Sequence, residues 1–269
     1  TSAARRRRPS ISARKASSPR RPSPLSPPRH PAIAPDLTHV ESWVFDLDNT
    51  LYPAECRLFS QIDARMTDFI RRATGAAHDD ARRLQKDYYV RYGTTLSGLM
   101  AEHKIAPDDF LDYVHDIDFS VVPEDRAMRA AIEALPGRRY IFTNGSVAHA
   151  DRVLSRIGVA GLFDDIFDIR AAGWTPKPHR ATYERFIAAT RVRPGEAAMF
   201  EDLAHNLEAA HALGMTTVLV ASDADWFADE PEAKRPARPG DEKPAHVHHM
   251  TGNLAGFLDS ARKAARPSA

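Results

Sequence analysis

A short apolar run, Trp43-Val44-Phe45, stops at two acids separated by one residue, Asp46-Leu47-Asp48, and this junction limits the fold more tightly than any other feature of the chain. The run has the length and composition of a buried strand. In an open α/β sheet, ligands bind at the carboxyl ends of the strands, where these two acids would lie. Carboxylates crowded there repel one another unless a cation neutralises them, so the segment calls for a hard, oxygen-seeking metal. An Asp/Asn-rich turn would explain an isolated Asp-x-Asp equally well. The rest of the chain decides between the two.

Residues 57–135 read as consecutive helices without a strand. Leu58, Phe59, Ile62, Met66, Phe69 and Ile70 recur at helical spacing and form one apolar stripe. Further helices are predicted over 82–92, 96–103, 108–115 and 124–135, with Pro107 and Pro123 suited to helix starts. Strand and helix then alternate. Strands are predicted at 139–142, 197–200 and 216–220, and helices at 147–157, 181–190, 203–213 and 253–264, with Gly158 and Gly214 placed to end two of them. Such alternation predicts an α/β fold with a doubly wound parallel sheet, helices on both faces, and an all-helical insertion after the first strand. The polar, Pro-rich stretch 223–245 reads as a surface loop.

The chain of 269 residues carries a net charge of +1 that is unevenly spread. Residues 1–35 hold nine Lys and Arg and no acid, which leaves the remainder at −8. A mildly acidic body is a poor general binder of nucleic acid. The basic leader is rich in Ser and Pro and poor in large apolar residues, so it reads as disordered. An inert tail, sequence upstream of the true start, a targeting segment and a nucleic-acid tether all fit its composition. No run reaches the length of a membrane span and no signal peptide is evident. The single cysteine, Cys56, rules out an internal disulfide and suits a reducing compartment, so a cytoplasmic location is expected.

Four junctions carry polar residues in order: Asp46 and Asp48 at a strand end; Thr143-Asn144-Gly145-Ser146 just before a helix; Thr175-Pro176-Lys177-Pro178 at the entry to the helix 181–190; and Glu201-Asp202 at a strand end, with Asn206 one turn on. The second can offer free backbone N–H groups and a hydroxyl to an anion at a helix start. Taken singly, these are a turn, a solvated corner and a helix cap. Their joint occurrence in strand context argues for a site. His246 and His248 would share one face of a strand, but neither a cysteine nor an acid completes a zinc set there.

These motifs resemble those of the haloacid dehalogenase superfamily of aspartate-nucleophile phosphatases, over roughly residues 40–257. Asp46-x-Asp48-x-Thr50-Leu51 is similar to the first motif, Thr143 to the second, Lys177 to the third and Glu201-Asp202 to the fourth, although Glu201 stands where many relatives carry Asp or Gly. Phe45-Asp46-Leu47-Asp48-Asn49-Thr50-Leu51-Tyr52-Pro53, the stretch 141–146 and the stretch 208–218 resemble the pyrimidine 5′-nucleotidase branch. With the basic leader at 1–35 set apart by its composition, the resemblance implies a phosphatase core from 36–55 and 136–269 and a helical cap at 56–135. It implies Mg²⁺ held by Asp46, the backbone carbonyl of Asp48, and Asp202. It also implies Asp46 as nucleophile, Asp48 as general acid and base, Lys177 as a fixed cation, and Thr143, Asn144 and Gly145 around the phosphate.

Those residue types suit the chemistry. A phosphate dianion repels an attacking carboxylate, so cations must offset the charge before Asp46 can attack. The alkoxide of an ester leaves poorly without a proton, which Asp48 would supply; a halide needs none, so Asp48 favours phosphoryl transfer over dehalogenation. Tyr52, Arg57, Thr94, Gly98 and His103 are candidates to face the substrate from the cap. The expected substrate is a small phosphate ester, foremost a pyrimidine nucleoside monophosphate such as UMP or CMP, with sugar phosphates or phosphoglycolate as the alternative. A nucleic-acid-tethered binding protein with a vestigial site is a further alternative.

Overall fold

The computed structural model describes residues 36–232 and 235–264; the basic leader lies outside them. Its strands are β1 (Ser42–Phe45), β2 (Arg138–Phe142), β3 (Asp165–Phe167), β4 (Ala197–Glu201), β5 (Thr216–Val220) and β6 (His249–Thr251). They form one sheet in the order β3-β2-β1-β4-β5-β6, every pair parallel. From β1 the chain builds outward through β2 and β3, then crosses back to β4 and builds the other way. That reversal leaves a crevice at the strand ends beside β1, the usual ligand position in such sheets.

Between β1 and β2 the chain forms α1 (Leu58–Thr74), α2 (His78–Tyr92), α3 (Thr95–His103), α4 (Pro107–Val114) and α5 (Arg126–Glu133). The first four share a core of their own. Ile62 and Ile70 of α1 meet Ala81 and Tyr88 of α2, Leu96 and Leu99 of α3, and Phe110, Leu111 and Val114 of α4. Local signals set the ends of these helices. Gly75, at φ 73, closes α1 by donating its N–H to Arg71, and Thr94 accepts the Ser97 N–H at the start of α3. Helix α5 behaves differently, because Met128, Ala131 and Ile132 join the core beneath the sheet.

After β2 come α6 (Val147–Ile157), α7 (Arg180–Thr190), α8 (Ala204–Ala212) and α9 (Leu254–Ala264). Side chains alternate across each strand, so the sheet has two buried faces. Trp43, Phe45, Ile141, Phe200 and Val218 pack on one face with residues of α5, α6 and α9. Val44, Tyr140, Phe142, Met199 and Leu219 pack on the other, with residues of α7 and α8. Phe45 and Phe200, from neighbouring strands, stack with ring centroids 4.7 Å apart and no exposure. Truncating either to Ala would cost about 3–5 kcal/mol through lost contact and cavity formation.

The structure corrects three details of the reading. Helix α2 begins at His78 rather than 82, because its first turn carries Asp79 and Asp80, which suit the helix dipole but add nothing to an apolar stripe. Strands β3 and β6 have only three residues each, too few to show a period. The polar stretch 223–245 contains a 3₁₀ turn, Asp225–Asp229, that sends Phe227 into a small buried cluster with Ala54 and Ala224. It is therefore anchored, not merely a surface loop.

Candidate active site

The carboxyl ends of β2, β1 and β4 bring the junction residues together. Asp46 follows β1 directly, its N–H extending the ladder to Phe200 O at 2.9 Å. Thr143 follows β2, Glu201 closes β4 and Asp202 comes next. Lys177 arrives from the loop between β3 and α7. Asp46, Thr143, Lys177, Glu201 and Asp202 are all buried, and all line one cavity of about 170 Å³.

Lys177 is the charge centre. Its Nζ donates to Asp46 Oδ1 at 2.6 Å, Glu201 Oε2 at 2.6 Å and Phe142 O at 2.9 Å, one acceptor for each of its three hydrogens. Burial alone would depress the ammonium, but the Asp46 and Glu201 carboxylates overcome this and hold its pKa above the usual lysine range. Asn144 fixes the loop that carries it, accepting the Lys177 backbone N–H at 2.8 Å. Asn144 also lines the cavity.

Burial raises the Asp46 carboxyl to about 7, with the Glu201 charge adding to the effect and Lys177 opposing it. Burial, reinforced by Glu201 and Asp46, also lifts Asp202 well above the carboxylate range. Glu201 goes the other way: burial would raise it, but Lys177 holds it below its ordinary value. Asp46, Glu201 and Asp202 bring carboxylate oxygens within 4.8 Å of one another, and among the described residues no other set of three metal-ligating side chains lies so close. Ionised, these three face a single ammonium, an excess of two negative charges that one divalent cation cancels. An all-oxygen donor set of this charge fits Mg²⁺.

Asp48 stands apart from that cluster. Its Oδ1 accepts from Tyr52 Oη at 2.7 Å and lies 2.8 Å from His149 Nε2. Burial would raise its carboxyl, but His149 and Tyr52 hold it below its ordinary value. Thr143 and Gly145 sit opposite. The Gly145 N–H donates to Thr143 Oγ1 at 2.9 Å. A side chain at Gly145 would lie 3.3 Å from that hydroxyl and 3.9 Å from Asp48 Oδ2, so glycine keeps this approach open.

The cap candidates divide. Thr94 lines the cavity, and Tyr52 is buried against Asp48, not in the wall. The other three lie elsewhere. Arg57 is at the surface, paired with Asp225 at 2.7 Å; Gly98 packs against Tyr88; and the exposed His103 contacts Tyr88 Oη at 2.6 Å. The wall instead consists of Phe59, Ile62, Met66, Phe110, Leu111 and Trp226 on its apolar side. A charged side adds Lys86, whose Nζ bridges Asp63 Oδ1 and Glu230 Oε1 at 2.7 Å each. Sequence reasoning missed this wall, and it missed His149 and His115. The signal for His149 was present, three residues past the Ser146 cap in the first turn of α6, a position that points back toward the strand ends. His246 and His248 hydrogen-bond to Ala204 O and to Thr217, and among the described residues neither belongs to a set of three metal-ligating side chains.

A parallel sheet with an acid-and-lysine crevice at its switch point, covered by helices inserted after the first strand, defines the class. The profile of the haloacid dehalogenase-like hydrolases matches residues 43–214, and the chain belongs to that family. Phosphate metabolism protein 8 of Saccharomyces cerevisiae is 30% identical over 154 residues, covering 53% of this chain and 46% of that protein. Enolase-phosphatase E1 of Frankia alni is 34% identical over 135 residues, 48% of this chain and 47% of that protein. The chain thus spans about half the length of these curated relatives. A crystal structure of a phosphatase of this family from Thermococcus onnurineus shares the fold, with a TM-score of 0.55, 19% identity, and coverage of 84% of this chain and 97% of that one. Among the described residues no helix is long and apolar enough to cross a membrane.

Proposed function

We propose that the chain is a Mg²⁺-dependent phosphomonoester hydrolase that works through an aspartyl-phosphate on Asp46. The observation that carries this reading is the Asp46–Lys177 contact of 2.6 Å inside a buried carboxylate cluster, with a second acid, Asp48, held apart two residues on. Asp46, Asp202 and the backbone carbonyl of Asp48 would hold the metal, which supplies charge neutralisation at the phosphoryl oxygens. Glu201 serves as the second anchor of Lys177.

An oxygen of Asp46 attacks phosphorus as the bond to the ester oxygen breaks, and the departing oxygen takes its electron pair and a proton from the Asp48 carboxyl. Asp48 is held ionised in the free site, and the incoming phosphate dianion favours its protonated form. In the second step water attacks phosphorus, Asp48 takes the water proton, and the Asp46 carboxylate leaves, giving inorganic phosphate. Lys177 stabilises charge on the phosphoryl group throughout, and Thr143 with the amides of Asn144 and Gly145 receives its remaining oxygens.

The proposed substrate is a pyrimidine nucleoside 5′-monophosphate. The branch resemblance supports this, as does an apolar wall of Phe59, Phe110 and Leu111 suited to one flat ring. The proposed cap spans 56–135; the packing of α5 under the sheet supports drawing its working border before α5. A cytoplasmic setting accords with the lone Cys56. A phosphate-release screen over nucleoside monophosphates, sugar phosphates and phosphoglycolate, with Mg²⁺ and with EDTA, tests the reading. Mg²⁺-dependent release fastest from UMP or CMP is expected. A sugar phosphate or purine nucleotide with the higher kcat/KM overturns the substrate. Tight binding of nucleic acid without turnover of any ester overturns the activity.

A further inference from the structure

We infer that His149, together with Tyr52, is a positioning residue for Asp48, clamping one carboxylate oxygen so that the other meets the substrate. Both contacts fall on the same atom: Tyr52 Oη lies 2.7 Å and His149 Nε2 2.8 Å from Asp48 Oδ1. Oδ2 is left facing Gly145 in the phosphate-binding turn. The carboxylate is thereby divided into a held oxygen and a working one. Two hydrogen bonds on one oxygen fix the side-chain torsions, and a freely rotating Asp48 would spend part of its time turned toward the metal cluster instead.

The imidazole is itself held fast. The His149 side chain has no exposure, stacks on His115 at 4.2 Å between centroids and 11° between planes, and leans on Phe119. Its backbone N–H is capped by Ser146 Oγ at 3.3 Å. Its Nδ1 is buried without a partner. A group whose task was only to fill space would be an apolar side chain, since a ring nitrogen without a hydrogen bond costs stability that hydrocarbon would not. The contact with Asp48 is what the imidazole adds. His115, at the end of α4 and in the cavity wall, covers the arrangement from the helical insertion.

The inference rests on the proposed phosphatase reading and concerns both of its proton transfers: from Asp48 to the leaving oxygen, then from water to Asp48. The test compares wild type, His149→Met, His149→Gln and Tyr52→Phe in excess Mg²⁺ with two esters. One is the alkyl phosphate turned over fastest in the screen above; the other is 2,4-dinitrophenyl phosphate, whose phenolate departs without a proton. For His149→Met, kcat on the alkyl ester should fall by about 10²-fold with KM changed by no more than about threefold. His149→Gln, whose amide reaches the Nε2 position, should recover about tenfold of that loss. With the dinitrophenyl ester, His149→Met should release about one equivalent of phenolate per enzyme in a burst before a slow phase, because only the second step then needs Asp48.

Equal losses on both esters without a burst mark a merely structural role and overturn the inference, as does an unchanged kcat on the alkyl ester. If circular dichroism shows His149→Met unfolded, Tyr52→Phe decides by the same criterion: a lowered kcat on the alkyl ester with a phenolate burst on the dinitrophenyl ester is expected, and equal losses without a burst, or no loss, overturn the clamp. A wild-type chain that releases phosphate from neither ester overturns the proposed activity and this role with it. An active wild type with indistinguishable variants overturns the role of His149 alone.

Discussion

Lys177 and Glu201 form an ion pair of 2.6 Å in which each side chain is 1% exposed, and the same ammonium holds Asp46 at equal distance. A charge removed from water this fully is tolerated only while its partners remain. Lys177→Met keeps the volume but leaves Asp46 and Glu201 facing each other, so the metal-free chain should lose about 3–5 kcal/mol in urea denaturation as well as its activity. Glu201→Gln keeps a hydrogen-bond acceptor for Lys177 and should cost less than half as much. Equal stability of wild type and Lys177→Met would remove the lysine from the centre of the site.

The buried acids give stability a definite pH trend. Asp46, raised by burial to about 7, and Asp202, raised well above its ordinary value, favour the folded state while protonated. Their contribution is full below the unfolded value near 4 and fades as pH rises through the folded value. Glu201 and Asp48 are shifted downward, so theirs is fully present above the unfolded value near 4 and fades only in acid. Between about pH 5 and 8 the metal-free chain should therefore lose stability as pH rises. Mg²⁺ removes the cause, and its upward shift of the melting temperature should be larger at about pH 8 than at about pH 5.5. A flat metal-free profile, or a larger shift in acid, contradicts this.

Gly98 is a packing position. A methyl there would run into the Cβ and ring of Tyr88, which is buried between α2 and α3. Gly98→Ala gains about 1 kcal/mol of helix propensity, yet overpacking costs about 1–3 kcal/mol, so a net loss is expected by thermal denaturation. Phosphate release by the folded fraction should stay close to wild type, since Gly98 lies outside the cavity wall. A selective change in substrate preference would return it to the wall.

The legible parts of the molecule were those written locally. Asp46, Lys177 and Asp202 each follow directly from a strand or loop end whose apolar run or proline frame marks the position. His149 is 101 residues from Asp48, and no periodicity links two side chains that meet only when β1 and β2 pair. Arg57 and His103 carry suitable chemistry, but Arg57 sits at a left-handed junction (φ 58) just before α1 and His103 ends α3, and both face outward. The Lys86 bridge escaped notice for a related reason: Glu230 belongs to the polar stretch, whose anchoring depends on Phe227 finding Ala54 across the fold. β3 and β6 are edge strands of three residues, specified by pairing more than by composition.

The charge on Asp46 is the centre of the account, and one comparison tests it. Steady-state phosphate release should be measured in excess Mg²⁺ for wild type and Asp46→Asn, on the best ester from the screen, with circular dichroism confirming the fold of both. The amide keeps the shape and the Lys177 hydrogen bond but cannot attack phosphorus, so kcat/KM should fall by about 10³-fold or more. An Asp46→Asn chain within about tenfold of wild type contradicts an aspartyl-phosphate mechanism at this site.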